Sequence, residues 1–219
     1  MSYYRGVKLG AYHTAVDWGM LLNKCDIDPP KPKSKMVKID GRDGDLDLTE
    51  ALGGVVRYEN RKMVFKFLLI DGTYQERLNT IADVYANVHG KRLEILLDDD
   101  KDWYFVGRCR VTDAGTNASK GEITVEVDAD PYRLKVVDTV RTVAVNGDTQ
   151  KVTCQNLGVR TVVPEITVTG EIDLTFADVT THLTDGVYTI NSVKFESGPN
   201  YITISGTGGV VFTFREGRF

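Results

Sequence analysis

The chain has 219 residues, of which 42% are hydrophobic and 26% charged, and its net charge at pH 7 is −4. This length suits one large domain or two small ones, and the composition is ordinary for a soluble globular protein. A weakly acidic chain excludes nucleic-acid binding through a broad basic face, and no run approaches the roughly 20 apolar residues of a membrane helix. The first residues lack the apolar core of a signal peptide, so we expect synthesis in a reducing cytoplasm.

Residues 38–54, KIDGRDGDLDLTEALGG, form an aspartate-rich segment with several possible chemistries. An EF-hand calcium loop starting at Asp43 requires glycine and glutamate at the positions that Leu48 and Gly54 occupy, so that interpretation fails. The glycine spacing of phosphate-binding loops is missing, and aspartates repel phosphate. Paired carboxylates could act as acid and base, but a solvated turn has no desolvated pocket that separates their pKa values. We therefore interpret the segment as an architectural turn.

The backbone of this turn is predicted to enter a strand. Gly41 and Gly44 supply the conformational freedom that a tight turn needs. The alternation that follows predicts Leu46 and Leu48 facing inward and Asp45 and Asp47 facing outward.

One helix is predicted, within residues 73–90. Thr73 and Glu76 form the T-x-x-E capping box of a helix start, and Gly90 stands where a left-handed residue ends the helix. The apolar face at helical spacing consists of Leu78, Ile81, Tyr85 and Val88.

Alternating segments around this helix predict strands, namely MVFKFLLI, KRLEILLDD, WYFVGRCRVT and GEITVEVDA. The second and third form a hairpin whose tip, Asp98 to Asp100, carries an acidic cluster. We expect one helix packed on a largely antiparallel sheet.

The composition changes in the last third of the chain. Charged residues occupy 43 of the first 135 positions but only 15 of the remaining 84. The later part is rich in Thr and Val and carries seven short strand signals without a helix, which is typical of a β-sandwich. The predicted class is mainly β (α+β), with one domain at residues 1–138 and a second at residues 139–219.

No catalytic, metal or cofactor site is predicted. There is no CxxC pair for zinc or redox chemistry, and no G-x-S-x-G or Cys–His signature of a nucleophile. The cysteines and histidines are isolated from one another in sequence: Cys25, Cys109, Cys154, His13, His89 and His182.

Five segments in chain order carry a resemblance that covers nearly the whole chain: DWGMLL, KIDGRDGDLDLTEALGG, VRYENRKMVFKF, VHGKRLEILLDDDKDWYFVGR and GEITVEVDADPYRLK. Together they resemble the distal tail protein (Dit) family of long-tailed, siphovirus-type phages and prophages, chiefly of Gram-positive hosts. The family is not known as an enzyme class.

The resemblance implies a structural protein of the phage tail tip or baseplate. Its N-terminal part would be a tail-tube-like β-sandwich or barrel that forms a ring, most commonly a hexamer, around the channel through which DNA leaves. Its C-terminal part would be a peripheral, galectin-like or carbohydrate-binding-module-like β-sandwich. The implied partners are further copies of the chain, the tail tube protein, the tail-associated fibre or hub protein, and receptor-binding proteins. Membrane binding and sequence-specific nucleic-acid binding are not implied. The implied location is the virion, after assembly in the host cytoplasm.

Residues at the shared landmarks are candidates for an assembly motif, and Arg42 beside Asp43 is suited to a bidentate pair within a subunit or with a neighbour. The candidates are Gly41, Arg42, Asp43, Gly44, Asp47, Arg61, His89, Gly90, Lys91, Gly107 and Arg108.

Two alternatives remain open at this stage. The C-terminal sandwich could bind host glycan through Tyr188, Phe195 or Tyr201, although alternating strands favour these aromatics as core residues. A tail-associated hydrolase is the other alternative, and the absence of a nucleophile motif in the sequence argues against it.

Overall fold

The computed structural model describes residues 5–51 and 53–219. The chain divides into an N-terminal unit that ends at Arg133 and includes Phe219, and a C-terminal unit of Leu134–Arg218. Both units are built mainly from antiparallel strands, so the predicted mainly β class is confirmed. Among the described helices, none has the length and apolar character needed to span a membrane.

The N-terminal unit is a sheet with a helix packed on it. Its elements are β1 (Val7–Leu9), β2 (Tyr12–His13), α1 (Thr14–Asp17), β3 (Leu21–Ile27), β4 (Met36–Val37), β5 (Leu46–Asp47), β6 (Arg61–Leu69), α2 (Tyr74–Val88), β7 (Arg92–Leu97), β8 (Asp100–Thr116) and β9 (Gly121–Ala129). The main sheet runs in the order β2-β1-β7-β8-β9-β6-β3, while β4 and β5 pair separately with each other. The four predicted strands of this unit correspond to β6, β7, β8 and β9.

Helix α2 begins and ends as the sequence predicts. Thr73 accepts a hydrogen bond from the Glu76 amide and Glu76 accepts one from the Thr73 amide, which completes the capping box. Gly90 has a φ of +76° directly after the helix. The short helix α1 lies outside the prediction.

The buried face of α2 differs from the predicted one. Its buried residues are Arg77, Ile81, Val84 and Val88, whereas Tyr85 is exposed and its ring lies 5.6 Å from that of His89 in a tilted arrangement. The predicted face is wrong by one position, since Val84 and not Tyr85 is buried. The buried face begins at Arg77, and a pattern of apolar residues at helical spacing does not include an arginine. The apolar members pack on the core of the sheet, which includes Met63, Phe65 and Phe67.

The C-terminal unit consists of long strands. Its elements are β11 (Thr139–Asn156), β12 (Glu165–Phe176), β13 (Val179–Leu183), β14 (Gly186–Thr189), β15 (Gly198–Phe214) and β16 (Gly217–Arg218), preceded by β10 (Arg133–Lys135), which pairs with β16. The sheet order is β11-β15-β12-β13, and β14 pairs with the first part of β12. Two pairs of predicted short strands are single strands in the structure: YITIS and VVFTF both lie in β15, and the end of VVPEITV and IDLTF both lie in β12. The predicted strand SVKFE is wrong, since only Phe195 forms a bridge there, to Val162.

Glycines cross this sheet in a band, which we call the glycine crease. Gly147 lies opposite Gly206, and Gly208 lies opposite Gly170, with a register shift in β11 after Gly147. These four glycines have positive φ, a conformation that other residues seldom adopt.

The two halves of the sheet on either side of the crease enclose one core. Phe195 lies 6.2 Å from Phe176 on one half and 5.2 Å from Phe214 on the other, measured between ring centroids. Buried residues from both halves of β11, β12 and β15 belong to the same apolar cluster. A single bent sheet therefore forms both layers of a sandwich.

Candidate functional site

Residues 28–60, which we call the arm, extend from the N-terminal sheet. The Asp28 amide donates to the Lys62 carbonyl at 3.0 Å, and the Lys33 amide donates to the Arg57 carbonyl at 2.8 Å, so the arm leaves and returns as a paired ladder. Strands β4 and β5 continue the pairing toward the aspartate-rich turn. Among the described residues of the arm, none belongs to the buried core of the unit.

The aspartate-rich turn has the backbone that the sequence predicts. Gly41 and Gly44 have φ values of +83° and +74°. Leu46 and Leu48 are half-buried while Asp47 is exposed. The hydroxyl and the amide of Thr49 donate hydrogen bonds to Asp47 and lower the pKa of its carboxyl group.

The predicted pair between Arg42 and Asp43 is not formed. Both side chains are exposed, and no ion pair joins them within the described part of the chain. An exposed pair gains little Coulomb energy in water and must order two side chains, so a single chain has little reason to form it. A contact to a neighbouring copy remains the untested part of this prediction.

Four other candidates meet at one cleft of about 490 Å³ in the N-terminal unit. These are Arg61, His89, Gly90 and Arg108, brought together from β6, the end of α2 and β8. The remaining lining residues are Asn60, Lys62, Cys109, Arg110, Glu126, Val127 and Asp128.

Two candidates adjoin this cleft without lining it. The Lys91 carbonyl accepts a hydrogen bond from the Cys109 amide at 2.8 Å, which continues the β7–β8 ladder. Gly107 lies between Leu93 and Ala129, and a Cβ there would meet the Ala129 Cα at 2.8 Å. Both serve the close packing of strands.

The polar groups of the cleft bond mainly to one another. Hydrogen bonds from Arg110, at 2.9 Å, and from Lys62 lower the pKa of Glu126. Arg108 donates to the Gly90 carbonyl at 2.7 Å, and His89 accepts from the Val111 amide through Nδ1 at 3.1 Å. Through this hydrogen bond His89, at the C-terminal end of α2, joins the helix to strand β8.

Arg61 differs from the other basic residues of this region because its side chain is only 5% exposed. Its guanidinium lies 5.4 Å from the Phe105 ring centroid, a cation–π distance. Burial, and then the neighbouring Arg133, lowers the pKa of Arg61. The Nε atom is buried without a hydrogen-bond partner among the described residues.

The acidic hairpin tip holds a contact that the sequence does not indicate. Asp98 accepts hydrogen bonds from the Gly6 amide at 2.7 Å and pairs with His13 Nε2 at 3.0 Å. Burial raises the pKa of Asp98, but these hydrogen bonds outweigh burial and lower the pKa overall. No local pattern could reveal a partner 85 residues away in the chain. Asp98 ties the tip to the start of the chain.

The three aromatics considered for glycan binding have different environments. Phe195 is fully buried, and Tyr188 is half-buried against the core with its hydroxyl donating to the Thr184 carbonyl at 3.0 Å. Tyr201 is 66% exposed, so the expectation that it is a core residue is wrong. Strand β15 alternates as a strand should, but Tyr201 lies on its outward face and Ile202 on its inward face.

The described side chains offer little for covalent or metal chemistry. Burial raises the pKa of the Cys109 and Cys154 thiols to about 11, so neither supplies a thiolate at neutral pH. No group of three or more His, Cys, Asp or Glu side chains in residues 5–51 and 53–219 is placed to hold a metal ion.

A solved structure shares this fold over both units. The crystal structure of the SPP1 Dit protein (gp 19.1), described as a paradigm of the hub adsorption apparatus in phages infecting Gram-positive bacteria, has a TM-score of 0.67 to this chain. The similarity covers 96% of this chain and 98% of that one, at 14% sequence identity. No family model and no curated protein matches the chain. The Dit resemblance read from the sequence is confirmed at the level of the fold.

Proposed function

We propose that the protein is a structural hub component of a phage tail tip. The observation that carries the proposal is the fold shared with SPP1 Dit across nearly the full length of both chains. A shared fold alone does not determine function. Here the shared fold coincides with sequence landmarks of the same family in the same order. Among the described residues no group of side chains is placed to hold a metal ion, and burial raises the pKa of the Cys109 thiol. The proposed role is structural and not enzymatic.

In this role copies of the chain form a ring, a hexamer by the family resemblance, that joins the tail tube to the fibre or hub protein. Receptor-binding proteins would attach to it, and DNA would pass through the central channel. The proposed location is the virion, with assembly in the host cytoplasm. A closed ring requires heterologous interfaces, in which one surface of a subunit meets a different surface of the next.

The arm is the surface we assign to this contact. It lies outside the buried core yet exposes Met36, Ile39 and Val55. Apolar side chains on an extended segment without its own core are typical of a segment that a partner covers. Arg42 and Asp43 at its tip are exposed and unpaired with each other, and so available to a neighbour.

The test is the mass and shape of the purified protein, by mass photometry and negative-stain microscopy. We expect rings from the natural chain and their loss in the variant M36S/I39S/V55S. Tryptophan fluorescence checks folding of that variant, because Trp18 and Trp103 both lie in the N-terminal unit.

The matched control is V140S/V179S/V187S, which changes three valines that are comparably exposed in the C-terminal unit. It should form rings as the natural chain does. A natural chain that stays monomeric at high concentration contradicts the ring. Rings lost equally in both variants contradict the assignment to the arm.

A further inference from the structure

One half of the C-terminal sheet has an outer surface made almost entirely of polar side chains. We call it the polar face, and it is formed by the end of β11, the start of β15, the end of β12 and β13. Alternation along these strands places one set of residues outward: Lys151, Thr153, Gln155, Asp173, Thr175, Thr180, His182, Tyr201, Thr203 and Ser205. Their neighbours, such as Ile202 and Ile204, are fully buried in the core.

Tyr201 is the aromatic residue of this face. It lies on β15 directly opposite Thr153 of β11, and the pairing of β15 with β12 begins two residues later, at Thr203. The ring is therefore exposed on a strand that is anchored to β11 at this position. An exposed tyrosine adds nothing to the core, while a fixed aromatic surface suits a ligand that stacks on it.

A cavity of about 510 Å³ adjoins the ring of Tyr201. Its lining combines an ammonium group, a carboxylate and hydroxyls, and consists of Lys151, Thr175, Ala177, Asp178, Tyr201 and Thr203. This volume falls within the usual range of small-molecule sites, about 300–1,000 Å³. Hydroxyls donate and accept, the ammonium only donates, and the carboxylate only accepts.

The rim of the cavity includes a strained turn. Ala177 and Asp178 have φ values of +48° and +64° and are the non-glycine residues with positive φ among those described. They connect Phe176 to Val179 in a two-residue hairpin, where glycine or asparagine is the usual choice. Strain of this kind costs about 1–3 kcal/mol per residue and is concentrated at functional sites. Both residues of this turn line the cavity.

We propose that this cavity is a binding site for a saccharide. A sugar ring presents a face of C–H groups that can stack on Tyr201, and a rim of hydroxyls that need both donors and acceptors. An anionic ligand is disfavoured, because Asp173 and Asp178 on this face outnumber Lys151. An apolar ligand is disfavoured because the cavity has almost no aliphatic lining, and the residues that face it from β12 and β15 include the threonines Thr175 and Thr203.

The experiment uses the full-length protein and an array of mono- to tetrasaccharides of glucose, galactose, rhamnose and N-acetylglucosamine. Hits are confirmed by saturation-transfer NMR. We expect binding of at least one of these sugars, weakened about tenfold by Tyr201→Ala and by Asp178→Asn, and retained by Tyr201→Phe.

Tyr74→Ala is the matched control, because Tyr74 is also an exposed tyrosine but lies at the start of α2. It should bind as the natural protein does, and far-UV circular dichroism confirms the fold of each variant. The proposal is overturned if no sugar of the panel binds at millimolar concentration, or if Tyr201→Ala binds as tightly as the natural chain. Neither result affects the ring, which is tested by particle mass.

Discussion

The N-terminal unit covers its sheet with a helix, whereas the C-terminal unit covers its sheet with the other half of the same sheet. In the first, side chains such as Arg77 join the helix to the strands. In the second, strands bend at the glycine crease, where the backbone of a neighbouring strand leaves no room for a Cβ on Gly170, Gly206 or Gly208. A helix-covered sheet therefore depends on particular side chains, and a sheet folded on itself depends on the absence of side chains at the bend.

The largest expected effect is at the crease. A Cβ on Gly208 would overlap the Thr169 carbonyl oxygen, and backbone atoms cannot move aside without breaking the β12–β15 ladder. We expect Gly208→Ala to destabilise the C-terminal unit by more than about 4 kcal/mol. Far-UV circular dichroism should lose strand signal, while the emission of Trp18 and Trp103, both in the N-terminal unit, stays native.

The neighbouring Gly209 is the matched control for this change. A Cβ there meets its nearest atom, the Val143 carbonyl oxygen, at 3.8 Å, which is ordinary van der Waals contact. Gly209→Ala should therefore leave the unfolding temperature nearly unchanged. Equal loss in the two variants would show that the crease is no more sensitive than the rest of the strand.

A smaller effect is expected where a side chain makes the connection. Arg77 is 3% exposed and donates to the Gly72 carbonyl at 2.5 Å, to Thr116 Oγ1 at 3.0 Å and to the Asn117 carbonyl at 2.9 Å. Arg77→Ala leaves these acceptors without their donor and should cost about 3 kcal/mol. Urea unfolding followed by tryptophan fluorescence measures it.

Gln75 on the exposed side of the same helix provides the comparison for Arg77. Within the described part of the chain its amide bonds to the Asn79 side chain alone, at 3.2 Å, so Gln75→Ala should cost less than about 0.5 kcal/mol. If Arg77→Ala proves no more costly than Gln75→Ala, the polar connection between helix and sheet is not what holds the unit together.

The smallest expected effect is an ion pair within the C-terminal unit. Arg215 Nε and Nη2 donate to the two oxygens of Asp138 at 2.5 and 2.9 Å, and these bonds lower the pKa of Asp138 despite partial burial. A lowered pKa means that the pair stabilises the fold above the unfolded value of about 3.9, and that this contribution disappears as pH falls through the folded value. Both side chains are partly exposed, so the gain is at most about 1 kcal/mol.

Asp138→Asn tests this pair across pH. The difference in free energy of unfolding between the natural chain and the variant should be constant above about pH 5 and vanish in strong acid. A difference that persists undiminished in strong acid, where Asp138 is protonated in both states, would assign the effect to packing of the side chain and not to its charge.

Local patterns in the sequence were sufficient for the class and for most elements of the N-terminal unit. Strand β9 begins and ends as the GEITVEVDA segment predicts, and the capping box of α2 depends on residues only three apart. The buried face of α2 was misjudged, because Arg77 is satisfied by acceptors about 40 positions away. A buried charge whose hydrogen-bond partners are distant in the chain leaves no recognisable pattern in the nearby sequence.

The C-terminal unit was harder to predict for a different reason. In the sequence, Gly206 and Gly208 have the appearance of a turn between two short strands, YITIS and VVFTF, and the local pattern predicts such a turn. They lie within β15, because the strand stays paired with β11 and with β12 through both positions. The candidate residues of the turn and of the cleft came from the family resemblance. The outward position of Tyr201 required the register of β15.

The pairing of β11 with β15 also decides the order in which the molecule can be made. The first long strand of the C-terminal unit pairs along its whole length with the last one, from Thr139 opposite Phe214 to Asn156 opposite Gly198. On a ribosome β11 must wait, unpaired and rich in β-forming residues, until nearly the whole chain has been synthesised. The hairpin of β8 and β9 can close much earlier, because its strands are consecutive. Synthesis thus delays closure of the C-terminal unit, and during this delay an exposed strand can meet its counterpart on another nascent chain.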